Sequence, residues 1–322
     1  MKRREFIAGL GVVVVTVPSS TRAQERRVVA FLHSGSKTPP HDGFSLGLAD
    51  AGYVNGQNIT IERRYAEGHY DRLSEMASEL VQRGVAVICA AGGAHTAVAV
   101  KSVNPNIPIV FSIGSDPVKF GLVTSLNRPG GNITGVSFFT AELEPKRLSL
   151  LLAVVPQAKS VGALINPTNA NADEQARDLR EAARVLGVQF QILHATNESE
   201  IEAAFSALSE RRGDAILVTS DSLFAGRQSA MVSLAARYAI PAIYEWREFV
   251  DQGGLMSYGP NLTDTYRQAG LYTARILRGD KPADIPVIRA TKFEFVLNAK
   301  VAKALGLAIP TSMQLLADEI IE

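Results

Sequence analysis

Val161-Gly162-Ala163-Leu164-Ile165-Asn166-Pro167-Thr168-Asn169 restarts a pattern that the chain has already run once. The first run opens with Val28-Val29-Ala30-Phe31-Leu32, followed by the small polar loop His33-Ser34-Gly35-Ser36. A short apolar run bounded by turn residues reads as a strand buried on both faces, and such strands belong to parallel sheets covered by helices. Outward from Val28, the periodicity predicts a helix over 42–51 closed by Gly52, a strand Ile59–Arg63 and a helix Asp71–Gln82 with Leu73, Met76, Ala77 and Leu80 on one face. Strands Val85–Ala90, Ile107–Phe111 and Ile133–Phe139 follow. Outward from Val161 come a helix Asp173–Leu186 closed by Gly187, a strand Val188–Leu193, a helix Glu198–Leu208 and strands Ala215–Val218, Ile240–Tyr244 and Gly254–Tyr258. Each strand of the first half finds a counterpart in the second, in the same order. The expected fold class is α/β, with two similar doubly wound parallel-sheet lobes.

The chain continues with a helix Thr263–Leu277, a strand Phe293–Leu297 and a helix Ala299–Leu305. These additions imply that the chain passes between the lobes more than once, which makes a hinge rather than a linker. The expected division is 27–138 with about 259–285 for lobe 1, and 139–258 with about 286–322 for lobe 2.

Ahead of this lies a three-part export signal over residues 1–23. Lys2, Arg3 and Arg4 are basic, Phe6–Val17 is apolar, and Thr21-Arg22-Ala23 offers small residues for cleavage. Arg3-Arg4-Glu5-Phe6-Ile7 resembles the twin-arginine type of signal. Cleavage after Ala23 would leave about 300 residues, enough for two ordinary domains, and would shift the formal net charge from +1 to about −2. That balance gives no basic surface for nucleic acid or an anionic membrane. Cys89, the single cysteine, sits in an apolar strand pattern and reads as a buried inert thiol. With no cysteine after the apolar run, the expectation is a freely diffusing, monomeric periplasmic protein.

Ligands of open parallel sheets sit outside the carboxyl ends of the strands. In the first half those ends carry Ser34, Ser36, Gly93, Ala94, His95, Ser115, Asp116, Ser137 and Phe138; in the second, Asn166, Thr168, Asp221, Tyr244, Glu245 and Tyr258. Hydroxyls, free backbone N–H groups, carboxylates and several rings suit a small zwitterionic or polar-aromatic molecule. Asp221 is the first choice for a ligand-contacting charge and Glu245 the second. Asp116 and Asp221 also have the position of helix caps. Gly43-Phe44-Ser45-Leu46-Gly47 matches a hydrolase nucleophile pattern but lacks the preceding strand that the motif needs. The five histidines show no metal-ligand spacing. No catalytic residue, metal or cofactor is expected.

Several segments together resemble the substrate-binding proteins of ABC importers, of the tryptophan/tyrosine-binding-like family. They are Ile107-Pro108-Ile109-Val110-Phe111 with Asp116-Pro117-Val118, Arg128-Pro129-Gly130-Gly131-Asn132-Ile133-Thr134-Gly135, Pro241-Ala242-Ile243-Tyr244-Glu245-Trp246-Arg247-Glu248-Phe249-Val250, and Gly253-Gly254-Leu255-Met256-Ser257-Tyr258-Gly259. The tail Asn298-Ala299-Lys300 through Ala304-Leu305-Gly306-Leu307 to Pro310 extends the resemblance. It implies a type I periplasmic-binding fold with a three-crossover hinge, capture of a small molecule between the lobes and its delivery to a membrane permease. It also places an acid at the position of Asp221. Many members have Thr-Pro where this chain has Ala94-His95. The alternatives are a ligand-binding sensor component and a two-lobed enzyme such as an amino-acid racemase.

Overall fold

The computed structural model describes residues 26–322 apart from Arg212 and Thr291, so the expected export signal lies outside the described residues. The first lobe runs β1 (Arg27–His33), α1 (Asp42–Asp50), β2 (Ile59–Tyr65), α2 (Leu73–Gln82), β3 (Val87–Ala91), α3 (Ala94–Val103), β4 (Ile109–Ile113) and β5 (Ile133–Ser137). The second begins with α4 (Glu144–Val154), β6 (Ser160–Ile165), α5 (Ala172–Leu186), β7 (Gln189–His194), α6 (Glu198–Glu210) and β8 (Ala215–Val218). It continues through α7 (Ser222–Ala225), α8 (Gln228–Arg237), β9 (Ala242–Tyr244), α9 (Arg247–Asp251) and β10 (Met256–Pro260). Then follow α10 (Leu262–Leu277), β11 (Ile288–Arg289), β12 (Phe293–Asn298), α11 (Ala299–Ala304), α12 (Thr311–Leu316) and β13 (Glu319–Ile321).

The two sheets share one strand order. The first is β11-β5-β4-β3-β1-β2 and the second β13-β12-β10-β9-β8-β6-β7. Counting each lobe from its own first strand, both read 2-1-3-4-5 across the middle, so the internal repeat read from the apolar runs is a repeat of topology. All pairings are parallel except β10 with β12. Every residue of β3, β4 and β8 is buried, which is why these strands carry unbroken apolar runs instead of alternation. Helices end where expected: Gly52 and Gly187 have φ of +87° and +72°, the left-handed conformation that lets a helix stop.

The chain crosses between lobes after β5, after β10 and after β11. The last crossing is later than the expected 286: Ile288 pairs with Val136 of β5, and the Ala290 N–H donates to the Ser137 carbonyl at 2.9 Å. The open edge of β5 captures this short strand, so residues 288–289 belong to the first sheet. After the second crossing, α10 returns to pack on α1. A Cβ on Gly47 would stand 1.9 Å from the Arg267 carbonyl oxygen, and one on Gly43 2.2 Å from that of Thr263. From the other side, a Cβ on Gly270 would stand 2.3 Å from the Phe44 oxygen. The glycines of the apparent nucleophile motif thus serve helix contact. Its Ser45 hydroxyl accepts a hydrogen bond from Arg63 at 2.8 Å.

Candidate functional site

A cleft opens between the carboxyl edges of the two sheets, at the switch points where β3 leaves β1 and β8 leaves β6. From the first lobe it is lined by Tyr70, Gly92, Gly93, Ala94, His95, Gly114, Ser115 and Phe138. Thr140, on the first crossing, Asn169, Asn171, Ser220, Asp221, Ser222, Ala225, Glu245 and Trp246 complete it. The cavity left between these atoms is about 60 Å³, small against the ~300–1,000 Å³ common for small-molecule clefts, because the two walls are drawn together by the contacts below.

The first-lobe wall is built by the β3–α3 turn. Gly92 and Gly93 have φ of +84° and +133°, conformations that side chains disfavour. A Cβ on Gly92 would strike the Ser34 hydroxyl at 2.5 Å, whereas one on Gly93 would meet open space. Gly93 precedes α3 without a side-chain cap, so the first N–H groups of that helix open toward the cleft. His95 stacks on Tyr70 with ring centroids 4.6 Å apart and planes 7° from parallel. Burial holds its imidazole below the ordinary range, partly offset by the Asp221 charge. Deeper in, Phe138 and Trp246 meet edge to face at 5.8 Å.

Asp221 caps α7, its Oδ1 accepting from the Leu223 N–H at 2.8 Å and from Asn166 at 3.2 Å. Its Oδ2 accepts from Asn169 at 2.6 Å and, across the cleft, from the Tyr70 hydroxyl at 2.8 Å. Burial raises the Asp221 pKa against these four hydrogen bonds, and raises that of Tyr70 well above the ordinary phenol. Three further contacts tie the lobes: Ser34 to Ser222 at 2.8 Å, Asn171 to Ser115 at 2.8 Å, and Lys119 to Glu174 at 2.7 Å. Ser222 also donates to the Gly92 carbonyl. Gly35 lies so close to the second lobe that a Cβ there would be 2.8 Å from the Ser222 carbonyl oxygen.

Beneath Trp246 is a buried polar cluster. Glu144 and Arg147 are both 0% exposed and approach to 3.3 Å. Glu245 stands beside them, its carboxyl pushed up to about 8 chiefly by burial, with Arg147 opposing. Its Oε1 has no hydrogen-bond partner.

Of the residues singled out from sequence, Gly93, Ala94, His95, Ser115, Phe138, Asp221 and Glu245 line the cleft. The others do not. Ser34 holds the lobe contact just described, and Ser36 bonds Glu67. Asp116 closes its own turn by accepting from the Val118 N–H at 2.8 Å. Ser137 donates to the Ser115 carbonyl at 2.9 Å, and Thr168 to Asn166 at 2.8 Å. Asn166 itself supports Asp221 from behind. Tyr244 points into the core, stacked on Phe249 at 4.4 Å, and Tyr258 packs against Phe293 and Phe295 on the far side of its strand. Strand alternation explains both tyrosines: side chains at the end of a strand point to its faces, and only those past its end reach the cleft. Tyr70, Asn171 and Trp246 were missed. Tyr70 stands in the loop after β2, past the strand's end at Tyr65, while Asn171 and Trp246 follow the loops that carry Thr168 and Glu245.

Among solved structures, an ABC domain in complex with L-Trp from Streptococcus pneumonia is 27% identical, with a TM-score of 0.81 over 92% of this chain and 100% of that one. A conserved domain protein from Vibrio cholerae is 27% identical, with a TM-score of 0.83 over the same shares. The ligand-free, open form of a substrate-binding protein with adhesive properties from Clostridium difficile is 26% identical but reaches only 0.63, over 92% of this chain and 99% of that one. Nearly equal identity with unequal superposition, together with the contacts across the cleft, identifies the arrangement described here as a closed one. A protein of Clostridioides difficile (strain R20291) named a tyrosine-binding protein is 29% identical over 265 residues, 82% of this chain and 76% of its own length. The family described as ABC transporter substrate binding protein matches residues 27–321, and to that family this chain belongs.

Proposed function

We propose that the chain captures a small amino-acid-like molecule between its lobes, in the periplasm, and delivers it to the membrane permease of an ABC importer. The observation that carries this reading is the latch: Tyr70 of one lobe donates to Asp221 of the other directly over the cleft. A group built half on each lobe forms only on closure, so a ligand that favours closure is held by it and a permease can read the closed shape. The relatives named for tyrosine and bound to L-Trp point the ligand class toward amino acids. The uncapped start of α3 offers backbone N–H groups to a carboxylate, and the rings of Phe138 and Trp246 offer a surface to an apolar side chain.

The test is a thermal-shift screen of ligand-stripped protein against the L-amino acids, aromatic acids and short peptides, followed by small-angle scattering with the compound that stabilises most. One class of compound is expected to stabilise the fold with the logarithm of its excess over Kd, raising the melting temperature, and to shrink the radius of gyration. A screen with no stabilising compound would overturn the ligand class. An unchanged scattering profile at saturation, from protein open beforehand, would overturn closure.

A further inference from the structure

The cleft carries two carboxylates, and their hydrogen bonds divide the work. A carboxylate offers about four lone-pair directions. All four of Asp221 are taken, by Leu223 N–H, Asn166, Asn169 and Tyr70. Glu245 is the opposite case: 3% exposed, in the cleft wall, with Oε1 unpartnered.

The one cation near Glu245, Arg147, is shared with a second carboxylate. From α4 come Glu144 and Arg147, already paired with each other at 3.3 Å, and Arg147 further donates to the Thr140 carbonyl at 2.9 Å. The three groups, if all ionised, sum to one negative charge. From the β8–α7 loop and the first crossing come the hydroxyls of Ser220 and Thr140, 3.0 Å from each other and both bonding to the Glu245 carboxyl, which still leaves Oε1 without a partner. Gly114 and Phe138 of the first lobe bring no charge. Among the described residues lining the cleft there is no Lys or Arg. Trp246 follows Glu245 in sequence and meets Phe138 edge to face, so the two rings line the same cleft as Glu245.

We propose that Glu245 is the specificity-determining residue of the cleft, taking the ammonium group of a ring-bearing ligand, while Asp221 serves to close the lobes over it. The inference rests on the receptor reading above and assigns the charge contact within it. An ammonium supplies both things Glu245 lacks, a donor for Oε1 and a neutralising charge. The adjoining rings add packing area and cation–π attraction. In the closed cleft without a cation, burial favours the neutral carboxyl; a ligand cation restores the ionised one.

Calorimetric titration at neutral pH with L-tryptophan, L-tyrosine and their deaminated counterparts, indole-3-propionate and 3-(4-hydroxyphenyl)propionate, tests this on the wild type, Glu245→Gln and Asp221→Asn. The wild type is expected to bind an amine-bearing probe about 30-fold or more tighter than its deaminated counterpart. Glu245→Gln should erase that preference, whereas Asp221→Asn should weaken both members of a pair by a similar factor and keep it. Equal binding of the paired probes by the wild type overturns the proposal without any variant. So does a preference that survives Glu245→Gln or is lost in Asp221→Asn. If none of the four probes binds, a ring-bearing ammonium is the wrong ligand, and the receptor reading is then judged separately by the wider screen.

Discussion

Tyr70 shows how a residue with no local signature becomes part of a site. It lies in a 3-10 turn ahead of α2, in the loop that follows the end of β2 at Tyr65, and its hydroxyl reaches Asp221 at 2.8 Å while its ring carries His95. Asp221 was legible because Asp directly after a strand and before a helix is a cap in a sheet's carboxyl edge. What could not be read is that its acceptors are filled from four directions, since three of the four donors come from distant loops. Tyr70→Phe removes the donor and keeps the ring. A hydrogen bond to a charged group contributes ~1.5–3 kcal/mol, so affinity for a stabilising amino acid should fall about tenfold or more. The unliganded melting temperature should stay close to wild type, because the open form does not make this bond. Titration calorimetry with paired melting curves checks both, and an unchanged Kd would show that the latch does not contribute to capture.

At the scale of elements, the apolar runs were enough to place most strands of both sheets, because burial on both faces leaves the same mark on the central ones, whereas β2 and β7 at the edges are only half-buried. β11 left no such mark: two residues, Ile288 and Arg289, added to the edge of β5 by backbone pairing alone. The α1–α10 contact was equally hidden, although its glycines were in view as an apparent enzyme motif. Their meaning depends on a helix that arrives more than two hundred residues later. Replacing Gly47 by Ala drives a methyl into the Arg267 backbone, where the 1.9 Å approach leaves neither side chain nor rotamer to give way. The helices must separate, at a cost of ~1–3 kcal/mol as for other overpacked sites. Urea denaturation should show a lowered midpoint for Gly47→Ala and for Gly270→Ala. Because the two glycines meet the same interface, the double variant should cost less than the two single changes added. A Gly47→Ala protein as stable as wild type would mean that α10 does not pack this closely.

On the scale of the whole molecule, the floor of the first lobe's cleft edge is tied to α10 through buried rings. His33 ends β1, and its Nε2 lies 3.1 Å from the Tyr266 hydroxyl of α10. The His41 ring lies tilted against that of His33, with centroids 4.2 Å apart. The Gly35 N–H donates to His33 Nδ1 at 2.8 Å, which requires that nitrogen to be unprotonated. Burial pushes the His33 pKa down to about 4, against an ordinary value near 6.5, and burial holds His41 lower still. Between those two values the unfolded chain binds a proton at His33 that the folded protein excludes. Stability from this group is therefore fully present above about pH 6.5 and is lost as the pH falls toward 4, by up to ~3 kcal/mol. The loss reaches the loop that carries Ser34 and the neighbouring Gly92 wall, so acid should loosen the first-lobe side of the cleft together with the α10 contact. Urea unfolding at pH 7, 6, 5 and 4 should give a free energy that falls across this window. In His33→Gln the fall should be shallower by the share of one proton, with a residual slope left by His41. Equal slopes for wild type and variant would show that His33 is not held neutral in the folded protein.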